Sequence, residues 1–168
     1  MAIQSLKDLF VYDLSAVYDL EQTLTQMVPQ IVQEITIGQA QSLLQQHDQE
    51  TRRQIQNLDR CFQLLGIQRQ PVRCYVLQGF SQEHDAFRQQ TPSPEMLSLF
   101  DLGMQEKIER YESMTYQGLI EKANLLGQAE CARLLEENKR DEDAEAQQIH
   151  QIIQQTVQTM GQAQRRAQ

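Results

Sequence analysis

The chain has 168 residues, 40% of them hydrophobic, and a formal net charge of −8 with an isoelectric point near 4.9. That length suits one domain with a sizeable core, and the negative charge argues against an electrostatic grip on nucleic acid or on an anionic membrane. No apolar run is long enough to span a bilayer, and the first ten residues lack the charged start and long apolar run of a signal peptide. Cys61, Cys74 and Cys131 are odd in number and form no C-x-x-C pair, so neither a disulfide framework nor a zinc finger is expected. A reducing cytoplasm is the natural setting.

Apolar residues at helical spacing predict a first helix from about Ser5 to Ile35, with Ser5 and Asp8 as a capping box. Its stripe is Leu6, Leu9, Phe10, Asp13, Val17, Leu20, Glu21, Leu24, Met27, Val28 and Ile31. Pro29 is expected to kink it or to start a separate last turn. After a turn at Thr36–Gln39, a second helix is predicted from about Ala40 to Leu65, stopped by Gly66. One face of it reads Leu43, His47, Glu50, Gln54, Leu58, Cys61, Leu65.

A loop over 68–72 and a short helix over about Tyr75–Gln89 follow. Ser93 as N-cap and Pro94 at the first helical position open a third long helix, which ends at Gly127. Its stripe reads Met104, Ile108, Tyr111, Thr115, Leu119; Glu112 falls inside that stripe and Glu109 on its flank. The last helix starts near Gln128 and carries Ala132, Leu135, Asn138, Glu142, Glu145 or Ala146, Ile149, Ile152, Ile153, Thr156 and Met160 on one face. Residues 161–168 are expected to fray.

No strand pattern competes, so the fold class is all-α. Four long helices, with short turns joining one to two and three to four, and a long middle connection carrying its own short helix, have the connectivity of a ferritin-like four-helix bundle. A single domain covering 1–168 is expected.

Each long helix has an acid inside its apolar stripe: Glu21, Glu50, Glu112 and Glu142. Helix two adds His47 one turn before Glu50, helix three adds Glu109, and helix four adds Glu145. Glu21 and Glu50 lie about equally far from the first turn, Glu112 and Glu142 about equally far from the second, so antiparallel hairpins bring each pair level. A carboxylate aimed at a core is expensive unless a cation or strong donors meet it. Carboxylate and imidazole ligands suit two iron or manganese ions, and di-metal bundles take a Glu from each of two helices and Glu-x-x-His from the other two. Here that pattern is partly met: His47-x-x-Glu50 is reversed, and helix four reads Glu142-x-x-Glu145 with no His at that spacing. The competing reading is electrostatic: Arg52, Arg53, Arg110 and Lys139 are available to pair with these acids. Tyr18, Tyr111 and Tyr116 are candidates to hydrogen-bond the ligands.

Several segments together resemble the YciE/YciF group of bacterial ferritin-like proteins, over nearly the whole chain. They are Leu6-x-Asp8-Leu-Phe10, Tyr18-Asp-Leu-Glu21-Gln, His47-Asp-Gln-Glu50-Thr51 with Gln54, Cys74-Tyr-Val-Leu-Gln-Gly79, Glu109-Arg-Tyr-Glu112 with Tyr116, and Leu134-Leu135 with Glu142. The resemblance implies a ferritin-like fold, a homodimer, a di-iron-type site at Glu21, Glu50, Glu109 or Glu112, and Glu142 with His47 beside them, and a part in stress responses. Two departures matter. Arg110 stands where the family's helix-three motif carries His, and Ala146 where an Asp is usual; if that Asp helps hold metal, either Glu145 substitutes or the site is weakened. The expected function is that of a metal-binding bundle, with iron oxidation coupled to O2 or peroxide reduction if it has chemistry. The rival is a metal-free helical structural or interaction protein.

Overall fold

The computed structural model describes residues 3–166. Its elements are α1 (Leu6–Glu34), α2 (Gly38–Leu65), α3 (Val76–Arg88), α4 (Pro94–Leu125) and α5 (Ala129–Arg166), with no strand among the described residues. The boundaries follow local chemistry. Ser5 caps α1 by accepting from the Asp8 N–H at 3.1 Å, while Asp8 accepts back from the Gln4 N–H at 3.2 Å. Ser93 caps α4 ahead of Pro94. Gly66 (φ 62°) and Gly127 (φ 69°) take the left-handed conformation that lets the chain leave a helix. α1 passes through Pro29 as one element, and α5 stays helical to Arg166 where fraying is expected from 161; residues 167–168 lie outside the described part.

α1 packs on α2 and α4, and α5 packs on α2 and α4, so the four long helices close a ring with every neighbouring pair antiparallel. Contacts at the two ends fix these directions. At one end the Thr36 N–H, just after α1, donates to Ser98 Oγ near the start of α4 (2.8 Å). At the other, Cys61 near the end of α2 meets the Cys131 carbonyl at the start of α5 (3.7 Å). Asp13 and Lys122 pair there too (3.1 Å), so Asp13 sits at a half-buried edge rather than in the core stripe.

The chain must therefore travel the length of the bundle between α2 and α4. It climbs along α1, where Ser15 Oγ accepts from the Gln70 N–H (3.1 Å) and Asp19 Oδ2 from the Cys74 N–H (2.8 Å). α3 then lies outside the ring, held to α4 by Phe87 stacked on Phe100 (centroids 4.0 Å apart) and by buried Leu77. This is the ferritin-like bundle with one long crossover.

One end of the core is built from apolar side chains: Phe10, Leu14, Leu58, Cys61, Leu119 and Leu135 are each 0% exposed. Fully burying a Leu or Phe stabilises by about 1.5–3 kcal/mol, so this end offsets the polar level described next.

Candidate metal centre

Along α1 the buried face runs Phe10, Leu14, Val17, Glu21, Leu24, Val28; a carboxyl at the fourth place is carried inward by its apolar neighbours. The same holds for Glu142 between Leu135 and Ile149 on α5, and for Glu109 and Glu112 between Ile108 and Leu119 on α4. Glu21, Glu109, Glu112 and Glu142 are each 0% exposed, His47 is 1% and Glu145 is 3%. On α4 the face is rotated from the sequence expectation: Tyr111 is exposed and Thr115 half-buried, while Glu109 and Tyr116 point in.

On α2 the inward face runs Leu44, His47, Thr51, Gln54, Leu58, Cys61. Steps of three and four residues both fit a helix, and Thr51 rather than Glu50 takes the core position. Glu50 is half-buried and accepts from Gln46 Nε2 at 2.9 Å. Of the six expected site residues, five are thus in the core and Glu50 stands at its margin.

The ligand atoms cluster. In three groups they all lie within 4.8 Å of one another: Glu21–Glu112–Glu142, His47–Glu109–Glu142, and His47–Glu50–Glu145. The first two share Glu142, and the last two share His47. Metal–ligand bonds are about 2.0–2.2 Å, so donors on opposite sides of one ion are about 4–4.4 Å apart. These groups are close to that span.

The surroundings are polar but short of donors. Tyr116 Oη donates to Glu21 Oε1 and accepts from Asn138 Nδ2 (3.1 Å); Gln54 Nε2 donates to Glu142 Oε1; Gln105 Nε2 donates to Glu109 Oε1. His47 Nδ1 meets Glu145 Oε2 at 2.5 Å, and its Nε2 lies 3.7 Å from Glu109 Oε1. After these bonds, buried Glu21 Oε2, Glu109 Oε2, both oxygens of Glu112, Glu142 Oε2 and Glu145 Oε1 have no hydrogen-bond partner. Buried polar atoms are otherwise almost always satisfied.

Among the described residues no Lys or Arg fills the gap. Arg52 pairs with Asp48, Arg53 with Asp141, Arg110 with Glu106 and Lys139 with Asp143, all near the surface. Among the described residues no Lys or Arg is buried. His47 is the one basic side chain facing five buried carboxyls.

Protonation reflects this. Burial raises the Glu21 carboxyl to about 7 even though the Tyr116 hydrogen bond opposes it, and raises Glu145 to about 7 against the pull of His47. Burial first, then neighbouring carboxylates, push Glu112 and Glu142 well above the usual range. Burial alone lowers the His47 imidazole, but the Glu109 and Glu145 carboxylates outweigh it and raise it to about 10. Without another cation, the centre must hold protons.

Sequence reasoning missed some partners. Asn138 was visible as a polar residue in a core stripe, but its link through Tyr116 to Glu21 was not. Tyr18 is not at the centre: its hydroxyl lies 3.5 Å from Asp59 and Arg69 covers its ring (4.1 Å).

Fold and core together define a ferritin-like helical bundle with a carboxylate-rich centre. The chain belongs to the family described as a domain of unknown function, DUF892, whose sequence profile matches residues 5–161. It is 26% identical over 147 residues to Protein YciF of Escherichia coli (strain K12), covering 86% of this chain and 87% of that protein. The resemblance to the YciE/YciF group is thereby borne out. Its fold matches the crystal structure of the E. coli stress protein YciF with a TM-score of 0.87, at 22% identity over 93% of this chain and 99% of that one. It also matches YcfI of Rhodopseudomonas palustris, named as a candidate structural protein, with a TM-score of 0.84 at 28% identity over 88% and 94% of the two chains.

Proposed function

We propose that this protein is a metal-binding member of its family, holding two iron or manganese ions in the bundle core and serving a stress response. The observation that supports this is the set of buried carboxylate oxygens without partners, converging at one level with no buried Lys or Arg. Glu21, Glu112 and Glu142, together with His47 and Glu109, would hold the ions. Such ions, when bound, supply redox chemistry able to couple iron oxidation to reduction of O2 or peroxide.

The chain's own residues do the rest. Tyr116 and Gln54 fix one oxygen each of Glu21 and Glu142 and leave the second free to bind. Glu145 holds the His47 ring from its Nδ1 side. On this reading Glu145 would take the part of the Asp that the family resemblance places at Ala146. The reading includes a homodimer in the cytoplasm, with light scattering as its check; no helix among the described residues is long and apolar enough to cross a membrane.

A second reading is a metal-free structural protein whose core acids are protonated. The 28% identical candidate structural protein favours it, as does the raised protonation range of Glu112 and Glu142. Metal analysis of protein purified without chelator separates the two. About two ions per chain are expected, and their loss on Glu142→Gln. Protein that stays metal-free after anaerobic Fe(II) or Mn(II) is supplied supports the second reading.

A further inference from the structure

A second group of metal-ligating side chains lies outside the centre, where the crossover helix meets the bundle. Glu34 at the end of α1, His84 on α3 and Asp101 on α4 bring one ligand atom each within 4.8 Å of one another. His84 Nδ1 lies 2.8 Å from Asp101 Oδ1, and His84 Nε2 lies 3.6 Å from Glu34 Oε2. Asp101 is only 2% exposed, yet its Oδ2 has no hydrogen-bond partner, and Glu34 Oε2 has only the long contact to His84. Arg88 is already engaged on Glu34 Oε1 at 2.6 Å, and among the described residues it is the only Lys or Arg side chain at the cavity wall. A buried carboxylate oxygen without a donor calls for a cation or a proton.

These residues border a cavity of about 260 Å³, room for several waters at about 30 Å³ each. Its rim carries exposed Asp85 and Arg88 and opens to solvent. Met27, Ile31, Phe80 and Ile108 supply the apolar part of its wall. Gln105 also lines it, and Gln105 is the residue whose Nε2 holds Glu109; its own Oε1 is unpartnered. The cavity therefore runs from an outer His–carboxylate group to Gln105, whose amide is the one side chain between it and Glu109 of the buried centre.

We infer that Glu34, His84 and Asp101 bind one divalent transition-metal ion at the mouth of this cavity, from which it passes by Gln105 to the inner carboxylates. One imidazole and two carboxylates suit borderline cations such as Zn(II), Co(II), Fe(II) and Mn(II), with water completing the shell. The outer site stands on its own residues; the onward passage rests on the reading of the inner centre as a metal site.

The test uses the full chain. Ring nitrogen NMR of the three histidines is followed while Zn(II) is added to wild type and to Glu142→Gln. The expected result is that the His84 ring shifts in both proteins, and that Asp101→Asn, close to isosteric, lowers the apparent affinity at His84 at least tenfold while melting within a few degrees of wild type. A His84 ring that Zn(II) leaves unmoved in wild type and in Glu142→Gln overturns the site, and needs no outer variant to fold. A shift at His84 in wild type that takes up no inner metal supports the outer site and overturns the inner one instead. For the passage, stopped-flow loading with Co(II) should show the inner centre filling several-fold more slowly in Asp101→Asn, with the same final content. An unchanged filling rate overturns the passage.

Discussion

Asp141, Glu142 and Asp143 are consecutive acids on α5, and they belong to two different electrostatic worlds. Asp141 pairs with Arg53 across to α2, and Asp143 with Lys139 and Ser113. Glu142 between them is 0% exposed and meets only an amide. The same contrast appears on α4, where Arg110 turns out to Glu106 while Glu109 beside it turns in. One residue of helix rotation, about 100°, separates an acid that stabilises the fold from one that costs it stability. The surface set pins helix to helix. The core set is tolerable only if protons or metal neutralise it.

The largest expected effect follows from that cost. Metal that binds only the folded state stabilises it by about 2.7 kcal/mol at a hundred times Kd. For a chain of this size that is about 5–10 °C in Tm. Chelated wild type should therefore melt well below protein saturated anaerobically with Fe(II). Glu142→Gln keeps the shape and the Gln54 contact, removes a charge, and should leave the chelated Tm unchanged or higher while abolishing most of the metal increment. If Glu142→Gln instead destabilises the chelated protein and metal moves neither, the core acids are structural and the two populations differ only in position.

The second effect is in the pH dependence, where the two sets act with opposite sign. Glu21 and Glu145 have folded-state values near 7, above the ordinary 4.5. The folded state then binds more protons, so their contribution is greatest below about 4.5 and falls as pH rises to about 7. His47, raised from 6.5 to about 10, loses its contribution across that higher window. Surface Glu106, where Arg110 and His150 outweigh burial, and Asp143, where Lys139 and Ser113 do, are lowered; theirs is lost only as pH falls below the ordinary range. Chelated protein should thus lose Tm steadily from pH 5 to 8. Metal-loaded protein should lose much less, because metal replaces the protons. A chelated Tm flat from pH 5 to 8 would show that the core acids do not change protonation there.

Much of this division was legible in the sequence. The caps at Ser5 and Ser93–Pro94 and the left-handed glycines at 66 and 127 act locally, so the helix ends could be read off directly. Glu21, Glu112 and Glu142 stood out because strong apolar neighbours fix their face. The failures share a cause: a helix accommodates steps of three and of four, so Glu50 and Thr51, or Thr115 and Tyr116, compete for one inward place and sequence periodicity alone does not choose. The partners were out of reach for another reason. Gln54 meets Glu142 across 88 positions and Tyr116 meets Glu21 across 95, and only the register between helices determines which side chains meet. Glu34, His84 and Asp101 come from three elements, none with a stripe that marks them.

The third effect sharpens the boundary between the two sets at Glu50. It is half-buried and close to His47 and Glu145, but holds no place in either cluster that shares Glu142. Glu50→Gln should therefore lose only part of the metal-induced rise in Tm, clearly less than Glu142→Gln. Equal losses in the two variants would make Glu50 a full ligand and move the margin of the centre outward by one residue on α2.

The smallest effect tests whether the populations are separate at all. Asp141→Asn removes the partner of Arg53, one residue from Glu142, without touching the core. The pair is partly exposed, with Arg53 55% and Asp141 28% accessible. Exposed pairs contribute about 0.2–1 kcal/mol, and salt screens them. The variant should lose at most a few degrees of Tm, the loss should shrink in 0.5 M salt, and metal content should equal that of wild type. Asn at 141 also leaves the α5 backbone and its buried face unchanged, so Glu142 keeps its aim. If Asp141→Asn depletes the metal as Glu142→Gln does, the surface pair is what sets the register of α2 against α5, and the two kinds of carboxylate are one coupled system.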